Sequence, residues 1–314
     1  MSARKSPVLV VLGTRPEAVK LAPVVRALRR RGAVDCRVVL TGQHRGLLRQ
    51  MLESFELGAA YDFDLMRPGQ TLNGFASRAL GKLGELLART RPALVVVEGD
   101  TTSALCGALA AFHERVPVAH VEAGLRTFDR SAPFPEEANR VLIDELSDLL
   151  YAPTAEAARH LKGLPQGRVL VSGNTVVDAV RWAAARRRPA REPRLAAVLG
   201  GLRAGEALIL ATLHRRESQD GGIESACEGL RRVLEREPAA RLVFPVHPNP
   251  RVAWTVRRVL RHPRAHLLPP LDYFDAVAAL RRCRFVMTDS GGLQEEAASL
   301  GKPALVLRRA TDRP

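Results

Sequence analysis

Lysine is scarce in this chain: it occupies five positions, Lys5, Lys20, Lys82, Lys162 and Lys302, so nearly all of the net charge of +15 over 314 residues is arginine. A bias of that kind reads as compositional, spread along the chain. Aromatic residues make up only 4%, and none is interleaved with the dense runs Arg29 to Arg31 and Arg186 to Arg188 to stack on bases, which argues against a nucleic-acid partner. The four cysteines, Cys36, Cys106, Cys227 and Cys283, are too widely spaced for a CxxC pair or a metal-ligand pattern. They are expected to be reduced and buried, with no metal bound. No apolar run reaches the ~18 residues of a membrane-spanning helix, and MSARKSPVLVVLG is a short basic lead into a strand without a signal-peptide cleavage site. A cytoplasmic protein with no membrane partner is expected. Neither G-x-G-x-x-G nor G-x-x-x-x-G-K-[ST] occurs, which argues against a nicotinamide dehydrogenase and a P-loop NTPase and predicts no redox cofactor.

What the chain does have is apolar content, 46% of its residues, enough to fill two ordinary domain cores. Short β-rich runs alternate with longer helical patterns, the mark of parallel βαβ units. In the first half strands are predicted at Pro7 to Leu12, Arg37 to Leu40, Leu94 to Val97, Val118 to Val121 and Asp148 to Tyr151. Helices fall between them, at Pro16 to Arg31 with apolar spacing at Val19, Val24 and Leu28, and at Asn73 to Arg89 with Leu80, Leu83 and Leu87. A second series runs through Ala207 to Thr212, Leu242 to Val246, His266 to Leu268, Phe285 to Thr288 and Ala304 to Leu307. The polar, proline-broken stretch Ala184 to Arg203 is predicted to be connecting surface.

Chemistry gathers at the predicted strand ends. After the first strand, Gly13 leaves room for a ligand to approach the backbone, Pro16 suits the first helical position, Arg15 is placed for phosphate oxygens, and Lys20 lies one turn further on. VVVEGDTT leaves Asp100 in the loop where open α/β sheets keep their ligands. HVEAGLRTFDRSAPFPEEANR is predicted to bring Glu122 and Glu136 beside Arg126 and Arg140. In the second half, Asp289-Ser290-Gly291-Gly292 runs into a helix expected to begin at Leu293. Ser290 is its predicted N-cap, the two glycines allow close approach of a diphosphate, and Glu296 one turn in is available to ribose hydroxyls. His214 and His247 close neighbouring strands of that half on the same side.

Together with Gly13 to Lys20 and His214-Arg215-Arg216-Glu217, these motifs resemble the non-hydrolysing UDP-N-acetylglucosamine 2-epimerases over nearly the whole chain. The resemblance implies an α/β protein of two Rossmann-like doubly wound domains with a cleft between them, like glycosyltransferase B folds. The domains would span 1–171 and 172–314, with the hinge near Val169 to Asn174 and the second domain truncated where the chain stops at Pro314. It implies catalytic roles for Asp100, Glu122, Glu136, Lys20 and His214, and UDP binding by Arg15, His247, Ser290, Gly291, Gly292, Glu296 and Arg313. It also implies an allosteric UDP-GlcNAc molecule contacted by Gln43, His44 and Arg67, no cofactor, and a homodimer.

The implied reaction is reversible interconversion of UDP-GlcNAc and UDP-ManNAc. The C2 hydrogen is not next to a carbonyl, so a carboxylate removes it only as UDP leaves C1 and oxocarbenium character develops. Elimination gives 2-acetamidoglucal and UDP; protonation on the other face and return of UDP give the epimer. Which carboxylate is acid and which is base stays open at this level, with at least one expected to hold a proton near neutral pH. Two other readings compete: a hydrolysing relative that releases ManNAc and UDP, and an inactive truncated paralogue with a binding role.

Overall fold

A computed structural model describes residues 6–42, 51–164, 167–213 and 222–307. Packing divides the chain into two compact units, Met1–Thr175 and Val176–Pro314. The expected boundary at 171/172 falls inside the first.

The first unit is built on β1 (Pro7–Leu12), α1 (Arg15–Arg31), β2 (Asp35–Leu40), β3 (Ala59–Asp62), α2 (Leu72–Thr90), β4 (Leu94–Glu98), α3 (Thr102–His113), β5 (Val118–Val121), α4 (Glu136–Leu146), β6 (Leu149–Ala152), α5 (Ala155–His160) and β7 (Arg168–Val171). The sheet order is β3-β2-β1-β4-β5-β6-β7 and every pairing is parallel. Such a sheet is covered on both faces, so its central strands read as unbroken apolar runs rather than alternating ones. β1, PVLVVL, is buried along its whole length. The core gathers Leu9 and Val11 of β1, Val95 and Val97 of β4, Phe75, Leu83 and Leu86 of α2, and Ile143 of α4.

The second unit carries α6 (Thr175–Ala185), α7 (Pro193–Gly200), β8 (Ala207–Thr212), α8 (Gly222–Arg236), β9 (Ala240–Pro245), α9 (Pro250–Val259), β10 (Ala265–Leu268), α10 (Tyr273–Arg282), β11 (Cys283–Thr288), α11 (Gly291–Ser299) and β12 (Ala304–Val306). Its parallel sheet runs β10-β9-β8-β11-β12. Ile209, Leu230, Leu234, Leu242, Phe244, Val256 and Met287 fill its core. All four cysteines are buried and free, as expected.

Three features differ from the sequence reading. β3 (AAYD) and β7 (RVLV) are edge strands, mostly exposed, and lack the apolar run that marks a central strand. The supposed connector holds a real helix, α7, because Pro193 stands at its first turn, where proline initiates rather than breaks. Glu192 caps it, accepting from the Arg194 amide at 3.4 Å, while Leu195 and Val198 are buried. The entry to this helix is anchored by Asp275 of α10, whose carboxylate accepts the Arg191 and Glu192 amides, each at 2.8 Å.

Both sheets have a point where strand order reverses, between β1 and β4 in the first and between β8 and β11 in the second. Helices leave in opposite directions there, opening a crevice at the carboxyl ends of the strands.

Candidate active site

At the reversal point of the first sheet, the loops after β1, β4 and β5 are tied together by buried charge. Lys20, on the first turns of α1, is held between two carboxylates: its Nζ lies 2.5 Å from Glu122 Oε2 and 2.9 Å from Glu98 Oε1. Glu98 ends β4 and is 2% exposed, whereas Glu122 follows β5 and is 9% exposed. One cation thus serves two buried acids. Burial pushes the Glu98 carboxyl well above the ordinary range; Lys20 pulls it back, and the neighbouring charges of Glu122 and Glu17 push it further up.

Glu122 has a φ of +68°, an uncommon conformation for a residue with a side chain, costing on the order of 1–3 kcal/mol unless its surroundings impose it. Its carboxylate is held on both oxygens, by Lys20 and by Asn174 Nδ2 at 3.1 Å. Asp100 follows Gly99 in the loop after β4. Its carboxylate is paired with Arg140 Nη2, and its carbonyl accepts from Asn139 Nδ2 at 2.9 Å. Asn139 and Arg140 are both buried residues of α4.

The first turn of α1 is arranged differently from the sequence reading. Its amides do not all face an incoming anion: Glu17 Oε2 accepts the Gly13 and Thr14 amides at 3.0 and 2.6 Å, and Glu17 Oε1 accepts the Thr101 hydroxyl at 2.8 Å. Burial raises the Glu17 carboxyl to about 6, against the opposing pull of its bonds from Thr14, Thr101 and Gly13. The room left by Gly13 is filled from within, since a Cβ there would lie 2.0 Å from Ser103 Oγ. Arg15 is half-buried at the start of α1.

The arginines of the β5–α4 segment also find other partners than expected. Arg126 pairs with Asp144 at 2.7 Å and Arg140 with Asp100 and Glu137, so neither pairs with Glu122 or Glu136. Glu137, 1% exposed, is the structural acid of this pair: it accepts the Phe128 amide at 3.0 Å. Glu136 is half-buried at the N-terminus of α4, with no side-chain partner among the described residues.

In the second unit, Thr212 and Thr288 hydroxyls bond at 2.8 Å across the ends of β8 and β11, and Thr288 Oγ1 accepts the Ser290 amide at 2.9 Å. Helix α11 starts at Gly291, two residues earlier than expected from Leu293, which places both glycines in its first turn. Ser290 occupies the N-cap position, but its hydroxyl caps no amide, which leaves the first-turn N–H groups without a side-chain cap. Glu296 is half-buried and His247 exposed, its Nδ1 accepting the Asn249 amide at 3.2 Å. Arg67 is exposed and bonded back to the carbonyls of Asp64 and Met66 at 3.4 and 3.3 Å. Gln43, His44, His214 and Arg313 lie outside the described residues. A cavity of about 680 Å³, lined by Arg194, Arg241, Arg257 and His266 among others, lies elsewhere in this unit, between α7, α9 and β10.

Sequence reading missed Glu17, Glu98, Asn139, Asp144 and Asn174. The available signal was an acid directly after the apolar run VVV, where a parallel strand is normally buried.

The family model for UDP-N-acetylglucosamine 2-epimerase matches residues 26–314. The chain is 45% identical over 312 residues to the UDP-N-acetylglucosamine 2-epimerase of Yersinia pestis, covering 98% of this chain and 83% of that protein. It is 42% identical over 312 residues to the enzyme of the same name from Escherichia coli K12, with the same coverage. Among solved structures, the UDP-GlcNAc 2-epimerase from Neisseria meningitidis bound to UDP-GlcNAc superposes with a TM-score of 0.88 at 37% identity, covering 98% of this chain and 84% of that one. The S. aureus MnaA–UDP co-structure gives 0.87 at 38%, covering 98% and 81%.

Proposed function

The chain belongs to the UDP-N-acetylglucosamine 2-epimerase family, and we propose that it interconverts UDP-GlcNAc and UDP-ManNAc by eliminating UDP and adding it back. The observation that carries this reading is the bridge from Lys20 to Glu98 and Glu122 beside the Arg140-held Asp100, a set of acids and cations at one reversal point. In the forward direction the C1–O bond breaks and UDP leaves with its electron pair. A carboxylate takes the C2 proton, and the C1=C2 double bond forms. In the return, a second carboxylic acid donates a proton to the opposite face of C2 while a UDP oxygen bonds C1.

Asp100, Glu122 and Glu136 are the proton-transfer groups in this reading. Lys20 holds the Glu122 carboxylate in place for that proton transfer. Glu136, half-buried at the start of α4 and with no side-chain partner among the described residues, supplies the third carboxylate. Arg15 stabilises charge on the departing pyrophosphate, and His214 is the further catalytic group of this reading. The nucleotide is held there by Ser290, Gly291 and Gly292 at the start of α11, with Glu296 on the ribose and His247 and Arg313 on the phosphates. The uncapped first turn of α11 supports that part.

The same reading takes UDP-GlcNAc as an allosteric activator at Gln43, His44 and Arg67, in a homodimer acting in the cytoplasm. No described helix is long and apolar enough to cross a membrane. Proton NMR of the products from UDP-GlcNAc in D2O tests the proposed reaction. UDP-ManNAc carrying deuterium at C2 is expected; free ManNAc, or retention of the original C2 hydrogen, would sink it.

A further inference from the structure

Outside the groups assigned to proton transfer lies a second buried network, centred on Asp144 of α4, which is 0% exposed. Asp144 Oδ1 meets His120 Nδ1 at 2.6 Å, and its Oδ2 takes Arg126 at 2.7 Å and the Gly124 amide at 3.2 Å. His120, on β5 and also 0% exposed, turns its other nitrogen, Nε2, to the carbonyl of Gly99 at 2.8 Å. A carbonyl oxygen only accepts, so Nε2 carries a proton. Burial raises the Asp144 carboxyl, but His120 and Arg126 outweigh it and hold the group below the ordinary range.

The Gly99 peptide is gripped at both ends. Its amide donates to Val121 at 3.0 Å and its carbonyl accepts from His120, in a left-handed conformation with φ +68°. Asp100 follows directly. Glu122 stands two residues after His120 and leads to the Gly124 amide that Asp144 holds. One buried pair thus clamps both loops that carry the proposed acid and base.

We propose that His120 is a positioning residue: through its Nε2 bond to Gly99 it fixes the Asp100 carboxylate relative to Glu122, without touching the sugar. This rests on the assignment of Asp100 and Glu122 made above.

Two substitutions separate the ring's two bonds. In His120→Asn the amide takes the place of Nδ1 and keeps Asp144 but leaves Gly99 unheld; in His120→Gln the amide reaches where Nε2 was and keeps Gly99. A misplacement of about 1 Å costs up to ~10²-fold in rate. The Asn variant is expected to lose 10- to 100-fold in kcat with KM and UDP affinity nearly unchanged, and the Gln variant to recover most of it. A merely structural role would lower both alike, tracking the loss of folded protein. Equal kcat in the two variants, or a better Asn variant, overturns the proposal. Should either fail to fold, Asp144→Asn decides. There the amide donates to Nδ1, the ring keeps its Nε2 proton on Gly99, and turnover within ~3-fold of the parent is expected. A tenfold loss with UDP binding intact would overturn the proposal. Wild-type protein that yields no UDP-ManNAc would instead count against the functional reading itself.

Discussion

The Thr101 hydroxyl donates to Glu17 at 2.8 Å, joining the loop after β4 to the helix after β1 across the reversal point of the sheet. Glu17 is 1% exposed, and its carboxyl is raised from 4.5 to about 6. A carboxyl raised on folding binds its proton more tightly in the folded state, so its stabilisation is full below the unfolded value and is lost as pH rises through 6. The loss should amount to about 2 kcal/mol. Chemical denaturation between pH 4.5 and 7 should show stability falling with pH, and Glu17→Gln should flatten that fall. Glu98, shifted in the same direction, adds to that slope, and His266, lowered by burial, opposes it. An unchanged slope in the variant would contradict the assignment.

Removing Lys20 should be costly twice over. Lys20→Met removes the cation that bridges Glu98 and Glu122, and breaking a buried ion pair costs roughly 3–5 kcal/mol. Turnover should vanish with it. Adding Glu98→Gln removes one of the two bridged acids and should restore much of the stability without restoring activity. Melting curves and product assays on the single and double variants separate the two effects.

Glu136 and Glu137 are neighbours in sequence with opposite expected behaviour. Glu137 is buried on Arg140 and the Phe128 amide, so Glu137→Gln should lower the melting temperature. Glu136→Gln should leave melting unchanged and lower kcat by ~10²- to 10⁴-fold, the usual worth of a proton-transfer group. If the two variants exchange these signatures, the roles are reversed.

Gly13→Ala tests how tightly the first turn is packed. The added methyl would lie 2.0 Å from Ser103 Oγ and 2.4 Å from its Cβ, at the start of α3. Overpacking of this kind typically costs ~1–3 kcal/mol. Gly13→Ala combined with Ser103→Gly opens the space again and should regain part of the loss by thermal denaturation.

Much of the scaffold is legible in sequence because its central strands are parallel and buried on both faces, so that PVLVVL and LVVV stand out as apolar runs between helical periods. Edge strands such as AAYD lose that contrast, since one side meets solvent. α7 was hidden by Pro193, which reads as a breaker unless its position within the first turn is known. Asp100 and Glu122 stood out because they are charged residues at strand ends, and Lys20 because it lies on the helix that opens directly after β1. Asp144 gave no such signal: on a helix, an acid among polar neighbours looks like solvated surface, and only the approach of α4 to β5 shows that it is buried. The pairings were the least legible part. Arg126 and Arg140 had acids on every side in sequence, and the choice of Asp144 and Asp100 over Glu122 and Glu136 depends on distances that only the folded chain sets.

The register that pairs Val8 with Leu94 places β4 beside β1, although β2 and β3 lie between them in the chain. The Lys20 bridge to Glu98 therefore exists only after a long, entropically costly loop has closed, and contacts of such sequence separation form slowly. Helical circular dichroism should thus recover early when the denatured protein is diluted into buffer, while epimerase activity returns later, on the timescale at which β4 docks.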